Sequence, residues 1–187
     1  MVAEITAAYN PVLTVRRVAH TLHLVDYDPQ WPARFAAESA RIRGALGEFA
    51  IAVEHIGSTS VRGLLGKPVL DIAISVHGDS HADLCVPLLG SLGYEYRGPY
   101  GLDPLRRYYV RDVEGRRFAH IHLYIVPATA WDEKLAFRDA LRNDADLAAA
   151  YAAEKHRVAE LVQWDKAAYS DEKGKFIQQL LTRLREE

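Results

Sequence analysis

A glycine followed by three hydroxyl residues, Gly57-Ser58-Thr59-Ser60, comes directly after a β-branched run and is followed by Lys67 and Asp71. Such a turn offers backbone N–H and side-chain O–H donors to phosphate oxygens, and a nearby lysine adds a point charge. Asp71, on the open face of the next strand, is the kind of oxygen ligand that holds a divalent cation bridging phosphates. The same residues also fit a capped turn and a carboxylate hydrogen-bonded to a loop, so spacing alone leaves both readings open. His55 stands beside the turn. Its ordinary pKa of about 6.5 suits proton transfer near neutrality, and a structural bond to the backbone is the alternative.

These residues need strands to hold them. Residues 51–56 and 69–76 are short apolar runs on either side of the turn. In the second, Leu70, Ile72, Ile74 and Val76 share one face, and Val69, Asp71, Ala73 and Ser75 share the other. Residues 106–112 and 116–126 flank Val113-Glu114-Gly115, a hairpin signal. In the second arm Phe118, His120, His122 and Tyr124 alternate with Arg117, Ala119, Ile121, Leu123 and Ile125, so the two imidazoles share a face. Tyr108, Tyr109 and Tyr124 either line a pocket or pack.

Helical spacing is expected over residues 32–48, with Pro32 in the first turn, and over 80–92, where Pro87 marks a kink or junction. Three more helices are expected over 131–142, 144–164 and 170–186, the last with Ser170 as N-cap. A strand-rich middle and a helical tail predict an α+β domain: one mixed sheet with helices mainly on one side and a helical C-terminal part. The domain spans residues 20–187, after a loose arm over residues 1–19.

The chain of 187 residues suits one domain, since domains cluster near about 100–150 residues. Twenty-three basic against 25 acidic side chains exclude the footprint of a non-specific nucleic-acid binder or a polybasic membrane-surface protein. The lone Cys85 excludes an intrachain disulfide framework and an all-cysteine metal site. No apolar run approaches the roughly 18–20 residues of a membrane span, and the start lacks signal-peptide features, so a cytoplasmic protein is expected.

The stretch Val53-Glu54-His55-Ile56-Gly57-Ser58-Thr59-Ser60-Val61-Arg62-Gly63-Leu64, continuing through Lys67-Pro68-Val69-Leu70-Asp71-Ile72, resembles the GrpB family, the UPF0157 proteins. The Tyr27-Asp28-Pro29-Gln30-Trp31-Pro32, His120-Ile121-His122-Leu123 and Leu135-Ala136-Phe137-Arg138-Asp139 stretches are similar to it too, as are Tyr151, Lys155 and the Tyr169, Lys173, Phe176 spacing. The resemblance implies a nucleotidyltransferase fold of the polymerase β type, in which a Gly-Ser turn binds triphosphate and acids spaced Asp-x-Asp, with a third acid on a later strand, hold two metal ions. Gly57, Ser58 and Asp71 fit that pattern. Ala73 stands at the second acid, and His120 and His122 stand on the later strand.

Imidazole suits Mn²⁺ or Zn²⁺ better than Mg²⁺. The expected site joins Asp71, His120 and His122 around one divalent metal, Mg, Mn or Zn, or directly around an anionic substrate; the alternative is that the imidazoles cover the sheet or donate to phosphate. Gly57, Ser58, Thr59, Ser60 and Lys67 would hold phosphate. Arg62, where the family usually has Pro, either joins them or is solvated, and so do Lys173 and Arg138 on the C-terminal helices. Asp71 and His55 are the candidate catalytic groups. The implied activity is transfer of a nucleotidyl or phosphoryl group from a nucleoside triphosphate to a small-molecule acceptor. The alternatives are a non-catalytic binding or folding-support module, since family members occur fused to dephospho-CoA kinase, and ligase-like or phosphoester chemistry on a repurposed site.

Overall fold

The structure is a computed structural model and describes residues 21–99 and 105–186. The expected arm over residues 1–19 lies outside the described residues. Pro32 occupies the first turn of α1 (Trp31–Leu46), where a missing N–H costs no intrahelical bond. A 3-10 turn, Gly47–Phe49, leads into β1 (Ala52–Ile56), and a second one, Ser58–Ser60, follows that strand. Strand β2 (Leu70–Val76) sends Leu70, Ile72, Ile74 and Val76 into the main core. There they meet Trp31, Ile42 and Leu46 of α1, and Ala82, Cys85 and Leu89 of α2 (Asp79–Ser91). Helix α2 runs through Pro87 rather than ending there.

Strands β3 (Glu95–Pro99), β4 (Arg106–Val113) and β5 (Arg116–Ile125) complete the sheet. Glu114 and Gly115 both take positive φ, 51° and 74°, which gives the mirror-image turn whose twist suits a hairpin. The strand order is β1-β2-β5-β4-β3, with β2 and β5 parallel and every other pair antiparallel. Register then sets the site: Asp71 pairs with His120 and Ala73 with His122 across the parallel pair.

Two expectations are corrected. Phe118 does not share the face of the imidazoles, nor Arg117 that of Ala119: Arg111 pairs with Ala119 but Asp112 with Arg117, so Phe118 is the extra residue of a bulge and packs against the main core, while the Arg117 side chain reaches His120. Ser170 is not an N-cap. Helix α5 (Lys166–Glu186) starts earlier, Asp165 accepts from the N–H of Ala168, and the Ser170 hydroxyl donates to the Lys166 carbonyl inside the helix. The earlier start buries Tyr169 against Leu22, Val158 and Ala159 and puts Lys173 one turn further along the same face.

Helices α3 (Thr129–Asn143), α4 (Ala145–Leu161) and α5 build a second core with Val61 and Leu64 from the loop after the turn. Asp144 caps α4 by accepting from the N–H of Leu147. On the second sheet face, Ala73 and Tyr124 are sealed by Ala128 and Trp131 at the start of α3. The part of that face carrying Asp71 is left to the loop and the lysines of α4 and α5.

Candidate functional site

Gly57 has φ 69° and ψ −173°, a backbone region that essentially only glycine occupies. A Cβ there would stand 2.5 Å from Asp71 Oδ2, so two independent constraints demand glycine at this position. The close approach brings the Asp71 carboxylate against the Ser58–Ser60 turn. A cavity of about 40 Å³ opens beside them, lined by Ser58, Thr59, Lys67, Asp71, Lys155 and Lys173 among others. That is room for a few waters or one phosphoryl-sized group.

Lys155, only 2% exposed, brings its Nζ to 2.5 Å from Ser58 Oγ and donates to the Leu65 carbonyl at 2.6 Å. Its ammonium also lies 4.7 Å from the centre of the Tyr151 ring. Lys67 and Lys173 flank the Tyr169 ring, at 5.4 and 5.9 Å. Burial, aided by the neighbouring Lys173, pulls Lys155 down to about 7. The same two causes bring Lys67 to about 8, and burial also lowers Lys173 and Lys134. Cations held this close without enough counter-charge lose protons readily.

Asp71 is the carboxylate that faces them. Its Oδ1 lies 3.0 Å from His120 Nδ1 and 3.8 Å from His122 Nε2. Burial alone would raise this carboxyl, but the hydrogen bonds from the two imidazoles prevail and hold it well below its ordinary value. Behind each imidazole stands an arginine: Arg117 Nη1 is 3.3 Å from His120 Nε2, and Arg106 Nη2 is 2.6 Å from His122 Nδ1. Guanidinium only donates, so each of those ring nitrogens must accept, and the opposite nitrogen carries the hydrogen. Both imidazoles therefore aim N–H groups at Asp71. Burial, the Asp71 bond opposing it and the Arg106 charge aiding it, brings His122 to about 4 and keeps it neutral.

This arrangement does not fit a metal. The ring nitrogens facing Asp71 carry hydrogens rather than free lone pairs, and a ligand must offer the lone pair. Among the described residues no three His, Cys, Asp or Glu side chains are grouped to hold an ion. Ala73, at the position of the second acid, is fully buried. Around the cavity the side chains of Lys67, Lys155 and Lys173 stand against the single carboxylate of Asp71.

A scan of the chain against family models matches the GrpB protein family over residues 21–183. The chain belongs to the GrpB family. A UPF0157 protein of Pseudomonas aeruginosa is 36% identical over 167 residues, covering 87% of this chain and 67% of its own length. The crystal structure of the conserved protein GrpB from Enterococcus faecalis superposes with a TM-score of 0.78 at 31% identity, covering 87% of this chain and 96% of that one. The Cid1 poly(U) polymerase bound to MgGTP superposes at 0.52 with 19% identity, over 72% of this chain and 44% of Cid1, which shows the nucleotidyltransferase fold alone.

Within this GrpB domain the expected site residues separate into two groups. Gly57, Ser58, Thr59, Lys67, Asp71, His120, His122 and Lys173 come together. His55 points to the opposite sheet face, stacked on Phe35 at 4.5 Å, with its Nε2 2.9 Å from Thr59 Oγ1. It props the turn from behind. Ser60 donates to the Gly57 carbonyl, and the exposed Arg62 lines a separate hollow against α3 and α4. Arg138 binds Glu54 at 2.7 Å, Asp139 and the His55 carbonyl, so it ties α3 to the sheet edge instead of reaching the cavity. Replacing it, Arg138→Met, is expected to cost about 2 kcal/mol of stability by leaving half-buried partners unpaired, with anion binding unchanged. Chemical denaturation and a phosphate titration check both parts.

Two residues at the site, Lys155 and Arg106, stand outside the site residues expected from the sequence. Lys155 had a signal: Tyr151, Lys155 and Val158 fall at helical spacing, which sets a lysine within an apolar stripe. Arg106 had none, because its contact depends on the β4–β5 register.

Burial, with the Arg142 charge adding to it, holds His55 at about 4 against an ordinary 6.5. The unfolded chain therefore takes up protons at a higher pH than the folded one, and stability present above 6.5 is lost as pH falls toward 4. For His55 that loss is about 3 kcal/mol. A midpoint of urea unfolding that stayed constant from pH 7 to 4.5 would contradict this burial.

Proposed function

We propose that the cavity binds the phosphates of a nucleoside triphosphate and that the protein transfers a nucleotidyl or phosphoryl group from it to a small acceptor. The observation that carries this reading is the convergence of Lys67, Lys155 and Lys173 on the Ser58–Thr59 turn with a single facing carboxylate. Phosphoryl transfer needs chiefly positioning and neutralisation of charge on the phosphate oxygens. The lysine ammoniums supply that charge here, and a bound polyphosphate would in turn restore their protons. Asp71, kept anionic by the two imidazole N–H groups, shares the cavity with Lys155 and Lys173 and can accept from an acceptor hydroxyl.

The second reading is a binding module without turnover, favoured by Ala73 at the second acid position. Thermal-shift titration with ATP and with inorganic tripolyphosphate, each in EDTA and in Mg²⁺ or Mn²⁺, tests binding; a ligand at 100 times its Kd stabilises by about 2.7 kcal/mol. Release of diphosphate or pyrophosphate in the presence of small hydroxyl or amine acceptors separates an enzyme from a module. No shift with any phosphate would remove both readings.

A further inference from the structure

Ser58 is the hydroxyl nearest the lysine cluster, and one of those lysines touches it. Lys155 Nζ stands 2.5 Å from Ser58 Oγ while the Leu65 carbonyl and the Tyr151 ring fix the ammonium from two other sides. Lys155 is almost wholly buried, and both it and Ser58 line the cavity. A Cβ on Gly66 would come within 2.7 Å of Ser58 Cβ, so the serine is also held from behind by backbone. A hydroxyl fixed at hydrogen-bond distance from a desolvated amine, and open on its other side to an anion cavity, has the arrangement of an activated nucleophile and its base.

We propose that Ser58 and Lys155 are a nucleophile–base pair and that the transferred group passes through a covalent phosphoester on Ser58. The proposal rests on the triphosphate reading above and goes beyond phosphate binding. In the first half-reaction Ser58 Oγ attacks a phosphorus of the bound triphosphate and Lys155 Nζ takes the hydroxyl proton. The Oγ–P bond forms, and the bond from that phosphorus to the bridging oxygen breaks, its electron pair leaving with the departing phosphate, which Lys67 and Lys173 neutralise. In the second half the acceptor hydroxyl attacks the same phosphorus and releases its proton to water. Ser58 Oγ leaves and recovers its proton from the Lys155 ammonium. An amine near neutrality in its folded surroundings, about 7 for Lys155, is matched to both directions of that transfer.

The test is intact-mass and peptide mapping of the full chain after acid quench, following incubation with ATP and no acceptor, when a double-displacement intermediate accumulates. The expected result is one phosphoryl or nucleotidyl group on Ser58, absent in Ser58→Ala, which keeps the Cβ and so the fold, and formed about 100-fold more slowly in Lys155→Met. ATP that shifts the melting temperature yet leaves no adduct overturns the nucleophile while sparing the triphosphate reading. If ATP gives no shift, a small fluorophosphonate decides: Ser58 Oγ replaces fluoride on its phosphorus in the wild type at a rate that rises through pH 7 if the pair is real. An unlabelled Ser58 overturns the pair in that case too.

Discussion

Lys155→Met is expected to weaken tripolyphosphate binding on the order of 100-fold, because a desolvated charged hydrogen bond contributes about 3 kcal/mol. The same change should leave the unliganded protein close to wild-type stability. It removes an ammonium that burial and Lys173 already disfavour, and the gain from lost repulsion offsets the unpaired Leu65 carbonyl. A large loss of binding with nearly unchanged stability distinguishes a functional lysine from a structural one. Calorimetric titration and denaturant melts of the same variant measure the two quantities. Equal losses in both would mean that Lys155 serves packing.

The second large effect falls on Gly57. Gly57→Ala forces a Cβ into a glycine-only backbone region, costing about 1–3 kcal/mol, and drives it against Asp71 Oδ2. With the collision added, a loss of about 3 kcal/mol is expected, or roughly 6–12 °C in melting temperature for a chain of this size. Asp71→Gly in the same molecule should return the part due to the collision but not the part due to φ. If the double variant were no more stable than Gly57→Ala alone, the backbone would account for the whole effect.

The sheet part of the site was legible because period-two alternation is unambiguous in long strands. Spacing alone puts His120 and His122 on one face of their strand and Asp71 opposite Leu70 and Ile72 on its own, and the parallel pairing of β2 with β5 then brings the three together. What alternation does not give is which face is buried. In β1, His55 and Glu54 point opposite ways, and nothing in that short run says that His55 faces Phe35 and Glu54 faces Arg138. The bulge at Phe118 shifts a residue to the other face with no local composition signal. Helix contributions were harder still. Arg138 and Lys155 are both cations on C-terminal helices, yet one clamps the sheet edge and the other enters the cavity, and only the packing of three helices separates them. A metal was one of the readings that residue types left open, and tautomers bear against it, since Arg106 and Arg117 set which imidazole nitrogen carries hydrogen.

In the proposed function a lysine cluster, rather than a metal ion, receives the phosphates. Isothermal titration of tripolyphosphate at pH 8 in EDTA, repeated in buffers of different ionisation enthalpy, tests it most directly. Lys155 and Lys67, at about 7 and about 8 when empty, should be restored toward full charge by the anion, so binding without metal and with net proton uptake is predicted. Affinity should weaken between pH 7 and 9 as the empty cluster loses its protons. Binding that appeared only after Mg²⁺ or Mn²⁺ was added, with no proton uptake, would contradict the account.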